Sequence, residues 1–222
     1  MQFIYHELAS QGILRIDGET YKYLFKVRRH TLNDILVFRN MQDGQIYFYK
    51  VEAISKRDAT LTLQTYEEKE IGASVKLHMG WCVVDPKTIE KQLPYLNELG
   101  VEKLTFIYAD FSQKNFKINI EKLNKILINS SQQCGRSSLM QLDIVDSLDT
   151  FLNLFPEAYA FNFSEKRVDS SLNIQTIVVG CEGGFSKREV ELFSKEKIVG
   201  IHSDLILRSE TAMTTVAAKL IV

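Results

Sequence analysis

The chain has 222 residues, 45% hydrophobic and 25% charged, with a net charge of −1 and no apolar run near the roughly 18 residues that cross a bilayer. Its start, Met1-Gln2-Phe3-Ile4-Tyr5-His6, lacks the basic-then-apolar layout of a secretory leader, and Cys82, Cys134 and Cys181 lie far apart with no CxxC pair. These features exclude a disulfide framework and a membrane-spanning protein, and point to a soluble protein of the reducing cytoplasm.

The first seventy residues read as mostly β. Phe3–Tyr5, Gly12–Ile16, Ile35–Phe38, Gln45–Val51 and Ala59–Leu63 are short β-branched or aromatic runs, punctuated by Asp17-Gly18, Asn33-Asp34, Asp43-Gly44 and Arg57-Asp58. Glu19–Arg29 has helical spacing, with Tyr23, Leu24 and Val27 on one face. Short strands plus one helix predict a small barrel. Tyr21–Arg39 also carries Lys22, Lys26, Arg28, Arg29 and Arg39 against Asp34 alone, which is either a solvated face or a nucleic-acid surface. The acidic run ending at Glu70, with Gly72 behind it, marks a boundary: one domain over 1–71 and a second over 72–222.

Past Gly72, strands and helices alternate, as in a parallel α/β sheet. Val75–Val84 reads as a strand, and Asp85-Pro86 as the N-cap and first turn of a helix that stops at Gly100. Leu104–Tyr108 is the next strand and Ile120–Gln133 the next helix, ending before Gly135. Ala158–Phe163 and Ile174–Gly180 are further strands, and Ser186 with Glu189 forms a capping box that opens a helix over Lys187–Lys195. Ile198–Ile201 is a strand and Thr211–Val222 a final helix.

Two loops stand out. Gly180-Cys181-Glu182-Gly183-Gly184 lies where a strand turns into a helix, at the carboxyl end of a strand where α/β sheets gather ligands. It is neither a GxGxxG fingerprint nor a P-loop, and Glu182 would repel a phosphate; the carboxylate suits a donor-rich or cationic ligand, or else braces the loop. The second loop, Leu205-Ile206-Leu207-Arg208-Ser209-Glu210, places three apolar residues outside any regular element, as a pocket wall would, with Arg208 and Glu210 as a catalytic pair or a structural ion pair. His6, His30, His78 and His202 share no ligand-like spacing, so no metal is expected.

Taken together, GCEGGFSKREVELF (Gly180–Phe193) resembles the GPEGGFS-x-x-E segment, and LILRSETA (Leu205–Ala212) the LG-x-RILR-x-ETA segment, of the RsmE family. These are SPOUT-superfamily methyltransferases that make N3-methyluridine in 16S ribosomal RNA. The likeness continues in KQLPYLNELGV (Lys91–Val101), ILINSSQQCGRSSLMQL (Ile126–Leu142) and YLFKVRRHTLNDILVF (Tyr23–Phe38), spread in order over nearly the whole chain. The sequence departs from the pattern in four places. Cys181 replaces a proline, Gln132 a glutamate and Tyr23 a histidine, and Ser203-Asp204-Leu205 lacks a glycine and an arginine of the second loop.

The resemblance implies a PUA-like β-barrel for RNA over 1–71 and an α/β SPOUT domain over 72–222 whose C-terminal end is threaded into a trefoil knot. It also implies a homodimer, with part of the apolar face of Thr211–Val222 covered by the second subunit. The implied cofactor is S-adenosylmethionine, bound by Gly180, Cys181, Glu182, Gly183, Gly184, Leu205, Ile206, Leu207, Thr211 and Ala212, with Phe163 as a wall. Arg208 is the implied stabiliser of charge on the uracil oxygens, and Glu210 its orienting partner. Lys26, Arg28, Arg29 and Arg136 are the expected phosphate contacts on 16S ribosomal RNA or the small ribosomal subunit. Two other readings stay open: a non-catalytic RNA-binding or ribosome-assembly protein on this scaffold, and a methyltransferase of another RNA or of a ribose hydroxyl.

Overall fold

The computed structural model describes residues 2–222 and divides them into two compact units. One comprises residues up to 72 together with 131–138; the other comprises 73–130 and 139–222.

The first unit contains β1 (Ile4–Tyr5), β2 (Ile13–Ile16), α1 (Gly18–Tyr21), β3 (Ile35–Arg39), β4 (Gln45–Ile54) and β5 (Ala59–Glu68). They build a five-stranded sheet in the order β1-β3-β4-β5-β2, antiparallel except for β1 beside β3. Register shifts at Phe48/Tyr49 and Val51/Ala53 bulge the β4–β5 ribbon, which increases its coiling. Inward-facing Leu14, Ile16, Phe38, Tyr49, Val51 and Leu61 form the core.

After α1 the chain widens into a π-helical stretch, Lys22–Val27. The wider turn rotates the expected apolar face: Leu24 and Phe25 are buried, whereas Val27 is exposed. Arg39 likewise leaves the basic face, because it is buried with its guanidinium on the carbonyls of Gly44, Gln45 and Lys69. Gln132 accepts the Tyr5 N–H at 2.8 Å through its amide oxygen, so the amide does here what a carboxylate would.

The second unit is a six-stranded, all-parallel sheet. It is built from β6 (His78–Cys82), β7 (Lys103–Ile107), β8 (Gln141–Val145), β9 (Tyr159–Phe161), β10 (Thr176–Val179) and β11 (Ile198–Val199). The order is β11-β9-β10-β6-β7-β8. The chain runs outward from β6 through β7 to β8, then returns to the other side of β6, so the strand order reverses between β6 and β10.

The helices are α2 (Pro86–Leu99), α3 (Ile120–Cys134), α4 (Leu148–Leu154), α5 (Lys187–Glu191) and α6 (Ser209–Ile221). Asp85 caps α2 by accepting the Lys87 N–H at 2.7 Å, and Gly100 ends it with φ at 95°. β8 and α4 were not anticipated. β8 lies at the sheet edge with no fully buried residue and with Gln141 and Asp143 among its five, and α4 is two turns long. The helix expected over Lys187–Lys195 stops at Glu191, and α6 begins at Ser209 instead of Thr211. Ala212, Met213, Val216, Ala217 and Leu220 are buried within this one chain, so most of the α6 apolar face needs no second subunit to cover it. Among the described residues no helix is long and apolar enough to cross a membrane.

His78 opens the central strand β6, buried against Phe151 and Phe155, with Nε2 2.8 Å from the Thr105 hydroxyl. Burial, aided by Lys103, pulls its pKa down to about 4. The fold therefore favours neutral imidazole, and that contribution is complete above the ordinary value of about 6.5 and lost as pH falls toward 4. Melting curves should show the protein losing on the order of 2 kcal/mol over this window relative to His78→Gln, which removes the titration. Parallel pH profiles for the two proteins would contradict this role.

Candidate functional site

At the carboxyl ends of β9 and β10 lies a cavity of about 330 Å³. Strand ends beside a reversal of strand order are where the loops of a parallel sheet diverge and leave a crevice. Three segments distant in sequence wall it: Phe161–Phe163, Val179–Phe185 and the stretch containing Ser203, Leu205–Leu207, Ser209 and Ala212.

The glycine loop is held rigidly from beneath. Gly184, at φ 69°, donates its N–H to the Cys181 carbonyl at 2.9 Å, closing a tight turn. A Cβ at Gly180 would sit 2.9 Å from the Gly184 Cα, so the turn closes only with glycine there. At Gly183 a Cβ would meet Phe111 at 3.3 Å, so what a side chain there would first disturb is an aromatic ring packed on the loop.

Cys181, in the place of the proline, is buried and directs its thiol at the Gly184 carbonyl; burial raises its pKa and keeps it protonated. The capping box is present: Ser186 Oγ accepts the Glu189 N–H, and Glu189 Oε2 accepts the Ser186 N–H at 2.9 Å. The other oxygen of Glu189, a fully buried carboxylate, accepts the Asp110 N–H at 2.9 Å, which ties the loop after β7 to the start of α5. Glu182, by contrast, is exposed on the cavity wall and makes no hydrogen bond or ion pair among the described residues. The loop is braced by Glu189 and by backbone, and the Glu182 carboxylate is left facing the cavity.

The two loops meet through one hydroxyl. Ser209 Oγ donates to the Gly180 carbonyl at 2.5 Å and accepts the Trp81 indole N–H at 2.8 Å, with Trp81 and Ser209 both buried. This bond fixes the N-terminus of α6 against the glycine loop and so places Leu205–Arg208 at the cavity mouth. Ser203 takes up part of the work of the missing glycine: its hydroxyl accepts the Leu205 N–H at 3.0 Å.

Of the residues expected at a cofactor site, the structure brings together Phe163, Gly180, Cys181, Glu182, Gly183, Gly184, Leu205, Ile206, Leu207 and Ala212 on one cavity. Thr211 lies outside it, facing solvent on the first turn of α6. Phe163, Leu205 and Ile206 are 79%, 77% and 80% exposed, an amount of uncovered apolar surface that suits a pocket awaiting a flat apolar ligand.

Arg208 is the exposed N-cap residue of α6, directly after the cavity-lining Leu207, and Glu210 stands in the first helical turn. No ion pair joins them, so the structural-pair alternative finds no support in the free chain. Seven wall residues were not expected from the sequence: Phe161, Asn162, Val179, Phe185, Ile201, Ser203 and Ser209. Ser209 lies within LILRSETA (Leu205–Ala212), but nothing in the local pattern reveals its partners 29 and 128 residues away.

On the first unit, Lys26, Arg28 and Arg29 are exposed, with Lys26 Nζ 5.4 Å from the Tyr21 ring centre and the Arg28 guanidinium 5.9 Å from that of Tyr23. Arg136 is not on this surface. It is 4% exposed, and burial removes it from the candidate phosphate contacts. Among the described residues no cluster of three or more His, Cys, Asp or Glu side chains is arranged to hold a metal.

A family model described as an RNA methyltransferase domain matches residues 72–221, and one described as an RNA methyltransferase PUA domain matches 16–64. The ribosomal RNA small subunit methyltransferase E of Helicobacter pylori strain 26695 is 41% identical over 98% of each chain, and its namesake in Aquifex aeolicus is 28% identical over 97% of each. Among solved structures, a Legionella pneumophila protein described as a methyltransferase with bound SAM superposes with a TM-score of 0.82 at 23% identity, over 99% of this chain and 96% of that one. The Neisseria gonorrhoeae ribosomal RNA small subunit methyltransferase E bound to S-adenosyl methionine gives 0.76 at 16%, over 98% and 95%. The chain belongs to the ribosomal RNA small subunit methyltransferase E family.

Removing the Ser209 hydroxyl should reveal its bridging role. Ser209→Ala leaves a buried indole N–H and a buried carbonyl without that partner, a loss of about 1–3 kcal/mol. Denaturant melts should register it, together with faster hydrogen exchange at Gly183 and Gly184; unchanged exchange in that loop would show the bond to be dispensable.

Proposed function

We propose that this protein is an S-adenosylmethionine-dependent methyltransferase that modifies N3 of a uridine in the 16S ribosomal RNA of the small ribosomal subunit. The observation that carries the reading is the meeting of the Gly180–Gly184 and Leu205–Leu207 loops on one cavity, in a chain whose family membership is set by its relatives. In this reading residues 1–71 are a PUA-like RNA-binding domain and 72–222 the SPOUT methyltransferase domain. The chain acts in the cytoplasm as a homodimer, its C-terminal segment threaded as a trefoil knot. The knot reading rests on the family pattern, and the start of α6 against Trp81 and Gly180 is compatible with it. The α6 residues left for a partner subunit are few, so the dimer reading rests on the family pattern.

The residues present fit the cofactor. Leu205, Ile206, Leu207 and Phe163 offer apolar surface for an adenine ring, and the side-chain-free edge of Gly183 and Gly184 lets backbone approach closely. Ala212 borders the cavity at the start of α6, and the unpaired carboxylate of Glu182 is placed to receive ribose hydroxyls or a cationic group. S-adenosylmethionine supplies an activated methyl group on a sulfonium. The acceptor nitrogen of uridine carries a proton in the neutral base, so its loss puts negative charge on the flanking carbonyl oxygens. Arg208, with a planar fork of donors one residue beyond the cavity wall, is the group that would hold that carbonyl edge. Glu210 is assigned to orient Arg208 once the base is in place. On the first unit, Lys26, Arg28 and Arg29 present cations to phosphates beside the Tyr21 and Tyr23 rings.

Arg208→Lys keeps the charge and removes the planar fork. Single-turnover methylation of small-subunit RNA at saturating cofactor should slow by on the order of a hundredfold, with cofactor affinity unchanged by calorimetry. Normal turnover in this variant would end the catalytic assignment of Arg208, and failure of the wild-type chain to bind S-adenosylmethionine would end the functional reading.

The basic face makes a separate prediction. Arg28→Glu combined with Arg29→Glu should weaken RNA binding and flatten its dependence on salt by about two counterions, leaving cofactor affinity untouched. An unaltered salt slope in a folded double variant would make this face a solvated surface only.

A further inference from the structure

The loop that follows β7 carries a feature the cofactor site does not use. Phe111 is 54% exposed, yet its ring lies on the glycine loop: a Cβ at Gly183 would meet Phe111 Cβ and Cδ2 at 3.3 Å. Gly183 also lines the cavity, so the ring stands one backbone thickness from the ligand space.

Its position is fixed by a dense set of bonds to the residue before it. Asp110 donates its N–H to the buried Glu189 carboxylate at 2.9 Å. Its side chain accepts the Ser186 hydroxyl at 2.6 Å and the Arg188 guanidinium at 3.1 and 3.2 Å. Arg188 in turn forks onto Asp149 with both contacts at 2.9 Å, joining the loop to α4. Further along, Ser112 donates its N–H to the Ala109 carbonyl at 3.1 Å and the Tyr108 hydroxyl bonds the Phe116 carbonyl at 2.7 Å.

Single exposed apolar side chains are ordinary on a protein surface, and what sets Phe111 apart is the hydrogen-bonded loop that holds it and its contact with Gly183. Three and six residues on, Lys114 and Lys117 are exposed, with Lys114 close enough to Asp110 to help hold that carboxylate ionised. An aromatic face followed by exposed cations matches single-stranded nucleic acid, in which unstacked bases lie on rings and phosphates follow the positive charge.

We propose that Phe111 is the stacking platform for the target base on the acceptor side of the site, and that Lys114 and Lys117 hold the phosphates flanking it. This deepens the methyltransferase reading and rests on it.

The test uses the full chain with small-subunit RNA. Phe111→Ala should lower kcat/KM for RNA by roughly 5- to 100-fold, the range expected for one lost base stack, while affinity for S-adenosylmethionine stays within about twofold. Phe111→Trp should retain activity because it keeps a flat face. Phe111→Leu covers Gly183 but cannot stack, so it should behave like alanine. Activity of Phe111→Leu equal to wild type would reduce the ring to a cover for the loop and overturn the proposal, as would unaltered kcat/KM in Phe111→Ala. A wild-type chain that binds cofactor but methylates no RNA would bring down the methyltransferase reading and this inference together. A wild-type chain that methylates normally alongside an unaffected Phe111→Ala leaves that reading standing and removes only the platform.

Discussion

The site depends on one buried hydroxyl. Ser209 Oγ stands between the Trp81 indole N–H, at the centre of the sheet, and the Gly180 carbonyl, at the mouth of the glycine loop. Each partner is a polar group in an apolar interior, where an unmatched donor or acceptor is expensive. The cheapest arrangement for all three is the one observed, and it fixes three other things at once. It sets where α6 begins, where Leu205–Leu207 must run to reach that helix, and which way the Gly180 peptide faces. A cavity assembled from strands and loops far apart in sequence needs such a point of registration, because loops alone would leave the relative placement of its walls loose.

Around that point the electrostatic roles are divided between two glutamates seven positions apart, Glu182 and Glu189. Glu189 spends both oxygens on backbone N–H groups and is buried for that reason: a carboxylate that is fully hydrogen-bonded tolerates loss of water. Glu182 has no such partners and stays at the surface of the cavity. The first carboxylate builds the loop, which frees the second from any structural duty.

Much of this architecture was legible in the sequence because its signals are local. Asp85-Pro86, Gly100 and the Ser186/Glu189 pair are caps that act within four residues, and each appears where the pattern placed it. The paired loops could be read as one ligand site because strand ends of a parallel sheet converge. What escaped notice acts at a distance or against local preference. The Ser209 bridge spans 128 residues. The second oxygen of Glu189 reaches Asp110, 79 residues back. The π-helical turn that exposes Val27 and the burial of Arg39 and Arg136 depend on tertiary packing, which overrode a helical period and a count of charges. Edge strand β8, half polar with no buried face to pattern it, carried no signal to read.

The span of the Ser209 bridge bears on the life of the chain during synthesis. Trp81 and its strand leave the ribosome long before Ser209 is made. At about 5–20 residues per second, 128 residues take on the order of ten seconds. Until then the indole N–H lacks its final partner, the glycine loop has no anchor at Gly180, and the cavity lacks its apolar wall. A nascent chain of this kind can gather its central strands early, yet it cannot hold a ligand until α6 has docked. Competence waits on that one event, and a chain cut short before this helix would fold much of a sheet around an empty mouth.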